Sequence, residues 1–593
     1  MIQLFIWAFL HSGVAISLRR HWNNLRKNIR SVFIAKPYHI SALQGRNPME
    51  NFSGDPPLCP AAAENPMTII EGLKQAIWKR RPILGEIMRK QGNKMLHRYA
   101  QDFLDVNPAP HLDARKPQLF SLIGELVAGR LGPHIAEGVV RQLRRNAMIS
   151  TADHHAFIDH PFWVNSNLIT GIPIYELQDP DIRYLIVLSF SSVSVNNASG
   201  FARGILFNGG TNGSRNLIRL PILPDKLKMS VVFGTRAFTR EDLAKSVHEL
   251  RKKQKNGEIA PGKTESVRAL LEEHFAADDI LGASHLCSQI SRMNYRFWPR
   301  IFHPSTASGE GCLARRQTPD LVYFDIETLV NQLLLRHHLA DRGSLLFRVL
   351  FDPQFLPLVR RHFDNHAGAF SIEHGWGTYM FWGINEKLRR VATRLESGKL
   401  KFLDSSMEID WEPEAVAEAL RQKRIFPGML LCYLTVPLYY GMKCLGGFCQ
   451  VHDLTVIKES WRKLLEEAGE RSEAEAITPV QTKELGGDGM VLAYLKTPRG
   501  EHVPSTGIDM VLNDGDTSFE KYAARSRQVT LMEMMHPMLP EMYTVLYSEA
   551  QRDPKLLSLS PERIFSVTGL KRKLVAEMPT VAAMAEPALV GGT

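Results

Sequence analysis

The run Tyr184-Leu-Ile-Val-Leu-Ser-Phe190 is nearly continuous apolar sequence, and it stops at Ser191-Ser192-Val193-Ser194, with Asn196-Asn197 just beyond. An uncharged apolar run closed by hydroxyls and amides predicts a buried strand with a polar loop at its carboxyl end. Working outward, shorter apolar runs follow at 205–207, 217–220 and 229–233, separated by turn signals at Asn208-Gly209-Gly210 and Asn212-Gly213. That spacing predicts a sheet with several adjacent strands.

Helical patterns flank this region. Upstream, Thr68-Ile-Ile-Glu71 reads as a capping box that opens an amphipathic helix through Leu73, Ile77 and Trp78. Pro82 breaks or kinks it, and residues 118–145 repeat the helical spacing at Leu119, Leu122, Ile123, Leu126, Ile135, Val139 and Leu143. Downstream, Thr239-Arg-Glu-Asp242 caps a return to helix as far as about Phe302. Residues 377–384 and 399–403 read as strands around a charged helix-like or hairpin segment, 386–396. The uncharged stretch 426–441 carries Pro427, Pro437 and three tyrosines and falls short of about twenty residues, so it predicts a buried helix and no stable membrane span.

The resulting fold class is α/β or α+β, with a helical N-terminal part, a central mixed sheet and a helix-rich C-terminal half. Composition places seven segments: 1–66 a leader and linker, 67–147 helical, 148–304 a sheet-containing domain bearing the site, 305–467 mixed helix and strand, 468–489 a linker or surface loop, 490–577 a C-terminal α+β segment, and 578–593 a small-residue, disordered tail. Residues 2–17 are apolar but short for a spanning helix, and the basic residues follow them, unlike a secretory signal. An upstream start codon, with Met49 or Met67 as the native beginning, and an organelle transit peptide both remain open.

A chain of 593 residues that is 44% hydrophobic and 23% charged has ample material for several cores. The formal charge of +10 is uneven: seven Lys and Arg precede the first acidic residue, Glu50, leaving +3 for the rest. A body at that balance does not call for nucleic acid. Six sparse cysteines with no CxxC pair favour a reducing, cytoplasmic setting, with an organelle as the alternative if the leader is a transit peptide.

Chemistry is concentrated at Ile149–Asn167, ISTADHHAFIDHPFWVNSN. Asp153, His154, His155, Asp159 and His160 fall within eight positions, followed by Phe162, Trp163, Asn165 and Asn167. Imidazole and carboxylate bind divalent metals and move protons near neutral pH. Asp153, His154 and His155 are therefore candidate ligands for zinc, manganese or iron, and Asp159 and His160 candidate proton carriers. Ser194, Asn196 and Asn197, with Trp163 and Asn165, are candidate contacts to a small polar or anionic substrate, since α/β folds put ligands at strand carboxyl ends. The bland alternative makes Asp153 a helix cap, His160 a turn residue and one histidine a satisfied core group. The Asp-His-His tripeptide resembles the motif after which a family of phosphoesterases is named, but the match covers three residues. That family's upstream strand-end aspartates and downstream glycine–histidine element have no counterpart here.

Three further patterns stand beside this cluster. Gly257-Glu-Ile-Ala-Pro-Gly262-Lys263-Thr264 fits the phosphate-loop pattern, but the charged residues before it predict a helix–turn–helix connection. Leu321–Thr328, LVYFDIET, resembles the first motif of proofreading exonucleases; without a third acidic motif it predicts a strand-to-helix junction capped by Asp325 or Glu327. His362, Asp364, His366, Glu373, His374 and Trp376 form a second polar cluster, either a surface loop or a completion of the first site. The functional expectation is a metal-dependent hydrolase. An iron-dependent oxygenase or lyase and a non-catalytic binding protein are the alternatives.

Overall fold

The computed structural model describes residues 65–210, 217–302, 317–497, 500–512 and 518–575. Expectations for the leader, most of the linker that follows it, Asn212-Gly213, Cys59, Cys312 and the tail lie outside the described residues. Helices and several sheets are mixed, with helices towards both ends, as the composition of periodicities predicted.

Helix α1 (Pro66–Arg80) is followed by α2 (Lys116–Leu131) and α3 (Pro133–Arg145), separated by the left-handed Gly132. Strand β1 (Met148–Ser150) leads through the His-rich segment into α4 (Pro161–Leu177) and then β2 (Tyr184–Ser189). A hairpin of β3 (Gly204–Asn208) and β4 (Leu217–Pro221) precedes α5 (Arg240–Lys255), α6 (Pro261–Leu270) and α7 (Leu286–Phe302). Strand β5 (Asp320–Asp325) turns directly into α8 (Ile326–Leu333). Strands β6 (Phe381–Ile384), β7 (Arg390–Glu396), β8 (Lys399–Phe402), β9 (Glu408–Asp410) and β10 (Ile425–Pro427) form an antiparallel sheet in the order β9-β8-β7-β6-β10. After the buried helical stretch 429–439 come β11 (Lys443–Leu445), α9 (Gln450–Glu467) and, near the C-terminus, α10 (Leu539–Leu546).

The sheet that positions the chemistry is four-stranded and parallel, in the order β11-β1-β2-β5. Strand β2 is buried at every position, so both its faces must be covered, the usual condition of a parallel strand. Side chains alternate between two cores. Leu185, Val187, Leu321 and Tyr323 join the cluster built on α1, α4 and α7, whereas Tyr184, Ile186, Leu188, Val322 and Phe324 join the one built on α2, α3, α8 and the antiparallel sheet. Its strands come from both the 148–304 and the 305–467 segments, so the two share one sheet.

Two expectations change here. The runs after β2 do not extend its sheet: β3 and β4 pair with each other, and 232–234 is a 3₁₀ turn. Strand β4 alternates half-buried and buried positions, and such a one-faced strand cannot occupy the two-sided interior beside β2. Within 468–489, expected as a linker or surface loop, a short helix (Arg471–Ala476) gives way to buried Thr482, Leu485, Gly486 and Gly487, packed along the end of β11.

Candidate functional site

Along the chain the parallel sheet grows from β1 to β2 to β5 and then returns to the far side of β1 to add β11. Strand order thus reverses between β1 and β11. In open parallel sheets the crevice outside the carboxyl ends at such a reversal is where ligands bind.

Two glycine pairs shape that crevice. Gly446 exchanges backbone hydrogen bonds with the segment beside it, its N–H donating to Glu484 O at 3.0 Å and its carbonyl accepting from Gly486 N at 2.8 Å. A Cβ on Gly447 would sit 2.1 Å from Asp488 Oδ2, and one on Gly487 would strike Ile169 and Ser166 of α4. The missing side chain of Gly447 leaves room for the Asp488 carboxylate against the segment that enters α9. Gln450 Nε2, in the first turn of α9, donates to Thr151 Oγ1 at 2.6 Å and ties that helix to the end of β1.

Asp153 follows β1, its carbonyl accepting from Phe190 N just beyond β2 at 2.9 Å, and its side chain is fully buried. Its Oδ2 accepts from Asn167 Nδ2 at 2.7 Å, and its Oδ1 has no hydrogen-bond partner among the described residues. Burial pushes its carboxyl up to about 8, with the Asn167 and Tyr323 side chains opposing the rise and the Asp488 charge adding to it. Asp488, half-buried, is pushed up to about 7 by burial and by Glu541 of α10. Glu541 rises to about 7 and Asp453 of α9 to about 6 by burial; the Arg81 guanidinium, 3.9 Å away, partly holds Asp453 down. Burial thus opposes the ionisation of all four carboxyls, and like charge adds to it at Asp153 and Asp488.

The rest of the His-rich segment is divided among separate partners. His155, fully buried, contacts Ser189 Oγ through Nδ1 at 2.7 Å and the Cys287 carbonyl through Nε2 at 3.0 Å, and it stacks on Tyr323. His154 is half-buried: its Nδ1 lies 3.4 Å from Ser199 Oγ, and its ring meets Trp163 edge to face. Burial pulls both imidazoles down to about 4. The sequence reading put Asp153, His154 and His155 on one ion. The structure does not gather their donor atoms: Asp153 and His154 meet α4 at different residues, Asn167 and Trp163, and His155 turns to Ser189 and Cys287.

Asp159 Oδ2 accepts from Leu206 N of β3 at 2.5 Å, and burial raises its pKa. His160 is the N-cap of α4, its Nδ1 accepting from Phe162 N at 3.3 Å, and burial lowers it to about 3. Asn165 Oδ1 accepts from both Leu492 N and Ala493 N at 2.8 Å, a structural tie. Trp163 Nε1 donates to Ser199 O, and Asn197 Oδ1 accepts from Ser199 N at 2.9 Å. Trp163, Asn197 and His154 therefore share one wall. Ser194 is half-buried with its backbone bridged to Val231, and Asn196 points to solvent.

Among the described residues one group of potential ligands meets: His155, Cys287 and Asp325, whose donor atoms lie within 4.8 Å of one another. All are buried and already engaged. Asp325 caps α8 through Thr328 N and binds Arg130 Nη2 at 2.9 Å. Burial opposes its ionisation, but Arg130 and His155 hold it down at about 2. Ser189, the Cys287 carbonyl, Arg130 and Thr328 already engage its nitrogens and oxygens.

The other sequence patterns resolve as local structure. Lys263 of the phosphate-loop pattern is buried in α6 on Asp509, at 2.7 Å. The second polar cluster looks to α9: His362 to Glu467 at 2.8 Å and His366 to Ser460 at 2.9 Å. Asp488, Glu541, Arg390 and Cys287 were not singled out beforehand; the repeated Gly-Gly pairs at 446–447 and 486–487 were the available signal. No helix among the described residues is long and apolar enough to cross a membrane. No protein-family model and no curated protein matches the chain.

Proposed function

We propose that this protein is a metal-dependent hydrolase acting on a small polar or anionic molecule in the crevice between the carboxyl ends of β1 and β11, with the divalent cation held by Asp153 and Asp488 rather than by the histidines. The observation that carries this reading is the fully buried carboxyl of Asp153, whose Oδ1 makes no well-formed hydrogen bond although the Tyr323 hydroxyl lies beside the group, and which feels the charge of a second carboxyl, Asp488. A buried carboxylate oxygen without a donor is costly, and an ion offsets both that cost and the repulsion from Asp488. Hard divalent ions such as magnesium and manganese need one or two carboxylates and keep bound waters, one of which supplies the nucleophile. Zinc and iron, expected from the histidines, have less support, since His154 and His155 face different partners. The two-histidine, one-carboxylate set of an oxygenase is not assembled from these residues. Four free thiols among the described residues favour a reducing, cytoplasmic setting.

The test is metal titration of the full chain by calorimetry with magnesium, manganese and zinc, comparing wild type with Asp153→Asn, Asp488→Asn and His155→Ala. About one ion per chain is expected, weakened at least tenfold in the first two variants and retained in the third. Loss in His155→Ala alone moves the ion to the His155–Cys287–Asp325 group. No uptake by wild type rejects the metal reading and leaves Asp153, with its raised pKa of about 8, as a metal-free general acid.

A further inference from the structure

Arg390 opens β7 on the antiparallel sheet, yet its side chain reaches the polar loop after β2. Its guanidinium lies 4.2 Å from the Trp382 ring centroid, and Nη1 donates to Ser192 O at 2.7 Å. Among the described residues it makes no ion pair within 4.0 Å. The acidic charge that reaches it belongs to Glu327, whose oxygens already accept from Ser191 N and Oγ at 2.8 Å and Ser192 N at 2.9 Å. Arg390 is half-buried, and among the described residues only Nη1 of its planar fork has a hydrogen-bond partner. His154, also half-buried, feels the same guanidinium charge. A desolvated cation flattened on an indole and supplied with one carbonyl is poorly compensated; a planar oxyanion accepting two N–H bonds is the partner its geometry suits.

We propose that Arg390 is an oxyanion-binding residue that receives a carboxylate or phosphate group of the ligand beside His154, at the carboxyl end of β2. This names the anionic class of substrate for the proposed hydrolase, and it rests on that reading only for the reaction that follows. Trp382 fixes the plane of the guanidinium, and the Ser192 carbonyl fixes one of its edges, so lysine cannot reproduce the fork.

The test uses the full chain stripped of metal by chelation, titrated separately with inorganic phosphate and acetate by calorimetry. One saturable site is expected for at least one of the two, weakened at least tenfold in Arg390→Met and unchanged in Arg389→Ala, an exposed neighbour. Phosphate binding without acetate binding assigns a phosphate group, and the reverse a carboxylate. Equal affinity in wild type and Arg390→Met, or no binding of either ion, overturns the proposal. Should Arg390→Met fail to fold by circular dichroism, Arg390→Lys decides: severalfold weaker binding supports the fork, and unchanged affinity overturns it. Oxyanion binding without metal uptake would remove the metal reading and leave this site standing, while metal uptake without oxyanion binding would do the opposite.

Discussion

Asp153 and Asp488 are far apart in sequence, yet Asp153 feels the charge of Asp488, whose carboxylate is held against Gly447. Gly447→Ala places a methyl group 2.1 Å from Asp488 Oδ2, a separation that no rotamer of a methyl can relieve. The carboxylate must move off the start of α9. Divalent-ion affinity is then expected to fall by about tenfold or more, since coordination tolerates only a few tenths of an ångström of error. Calorimetry with manganese reads this directly, and an unchanged melting temperature shows that the loss is local. Retained affinity would remove Asp488 from the site. The His-rich segment shows the complementary case, in which five adjacent candidates are dispersed among separate partners. His160 becomes a helix cap, Asp159 a tie to β3, and His155 a buried link between Ser189 and α7.

At the scale of elements, α4 does more than cover the sheet. Its Asn167 holds Asp153, and its Asn165 accepts two backbone N–H groups from the segment that enters the C-terminal part of the chain. Asn165→Ala leaves those donors at Leu492 and Ala493 buried without an acceptor, a cost of about 2–4 kcal/mol for two unsatisfied groups. Urea denaturation followed by far-ultraviolet circular dichroism should show that loss, while Asn165→Asp, which keeps the acceptor, should lose less. Several periodic or capped elements were legible in the sequence, since α5 begins at the Thr239 capping box, β2 spans the apolar run and Asp325 caps α8, whereas α1 is capped by Asn65 and not by the expected Thr68 box. Strand β11 was not legible. It is three residues long and opens on Lys443, whose ammonium is buried only because the Asp102 and Asp105 carbonyls accept from it at 2.8 and 2.6 Å.

The whole molecule carries buried histidines on several elements, and their neutrality links stability to pH. His338 is an instance away from the crevice, bonded to Ser344 Oγ at 2.8 Å and Tyr440 Oη at 3.0 Å. Burial pulls its pKa down from 6.5 to about 4. Between those values the unfolded chain binds a proton that the folded chain refuses, so this contribution is complete above pH 6.5 and is lost as pH falls towards 4. The full effect is about 3 kcal/mol, taken from the span of the shift. His338→Asn should cost stability at pH 7.5 through lost packing and hydrogen bonds, yet flatten the acid side of the unfolding-stability curve. A slope equal to wild type between pH 6.5 and 4.5 would show that His338 titrates normally in the folded state.

By itself the sequence determined the mixed helical and strand content, the β2 strand with a polar loop at its end, the helix–turn–helix that mimics a phosphate loop, and the clustering of ionisable groups around residues 153–160. These are local properties, set by hydrophobic period, capping residues and turn chemistry within a few positions. Tertiary structure alone decided that β11 joins β1, that strand order therefore reverses at the His-rich segment, and that Asp488, Glu541 and Arg390 arrive from distant parts of the chain to surround it. Such placements depend on long-range packing and on glycine backbones approaching within contact distance, and neither leaves a periodic trace in the sequence. Which way a histidine faces was decided there as well, because the partner that satisfies a buried ring is supplied by another element.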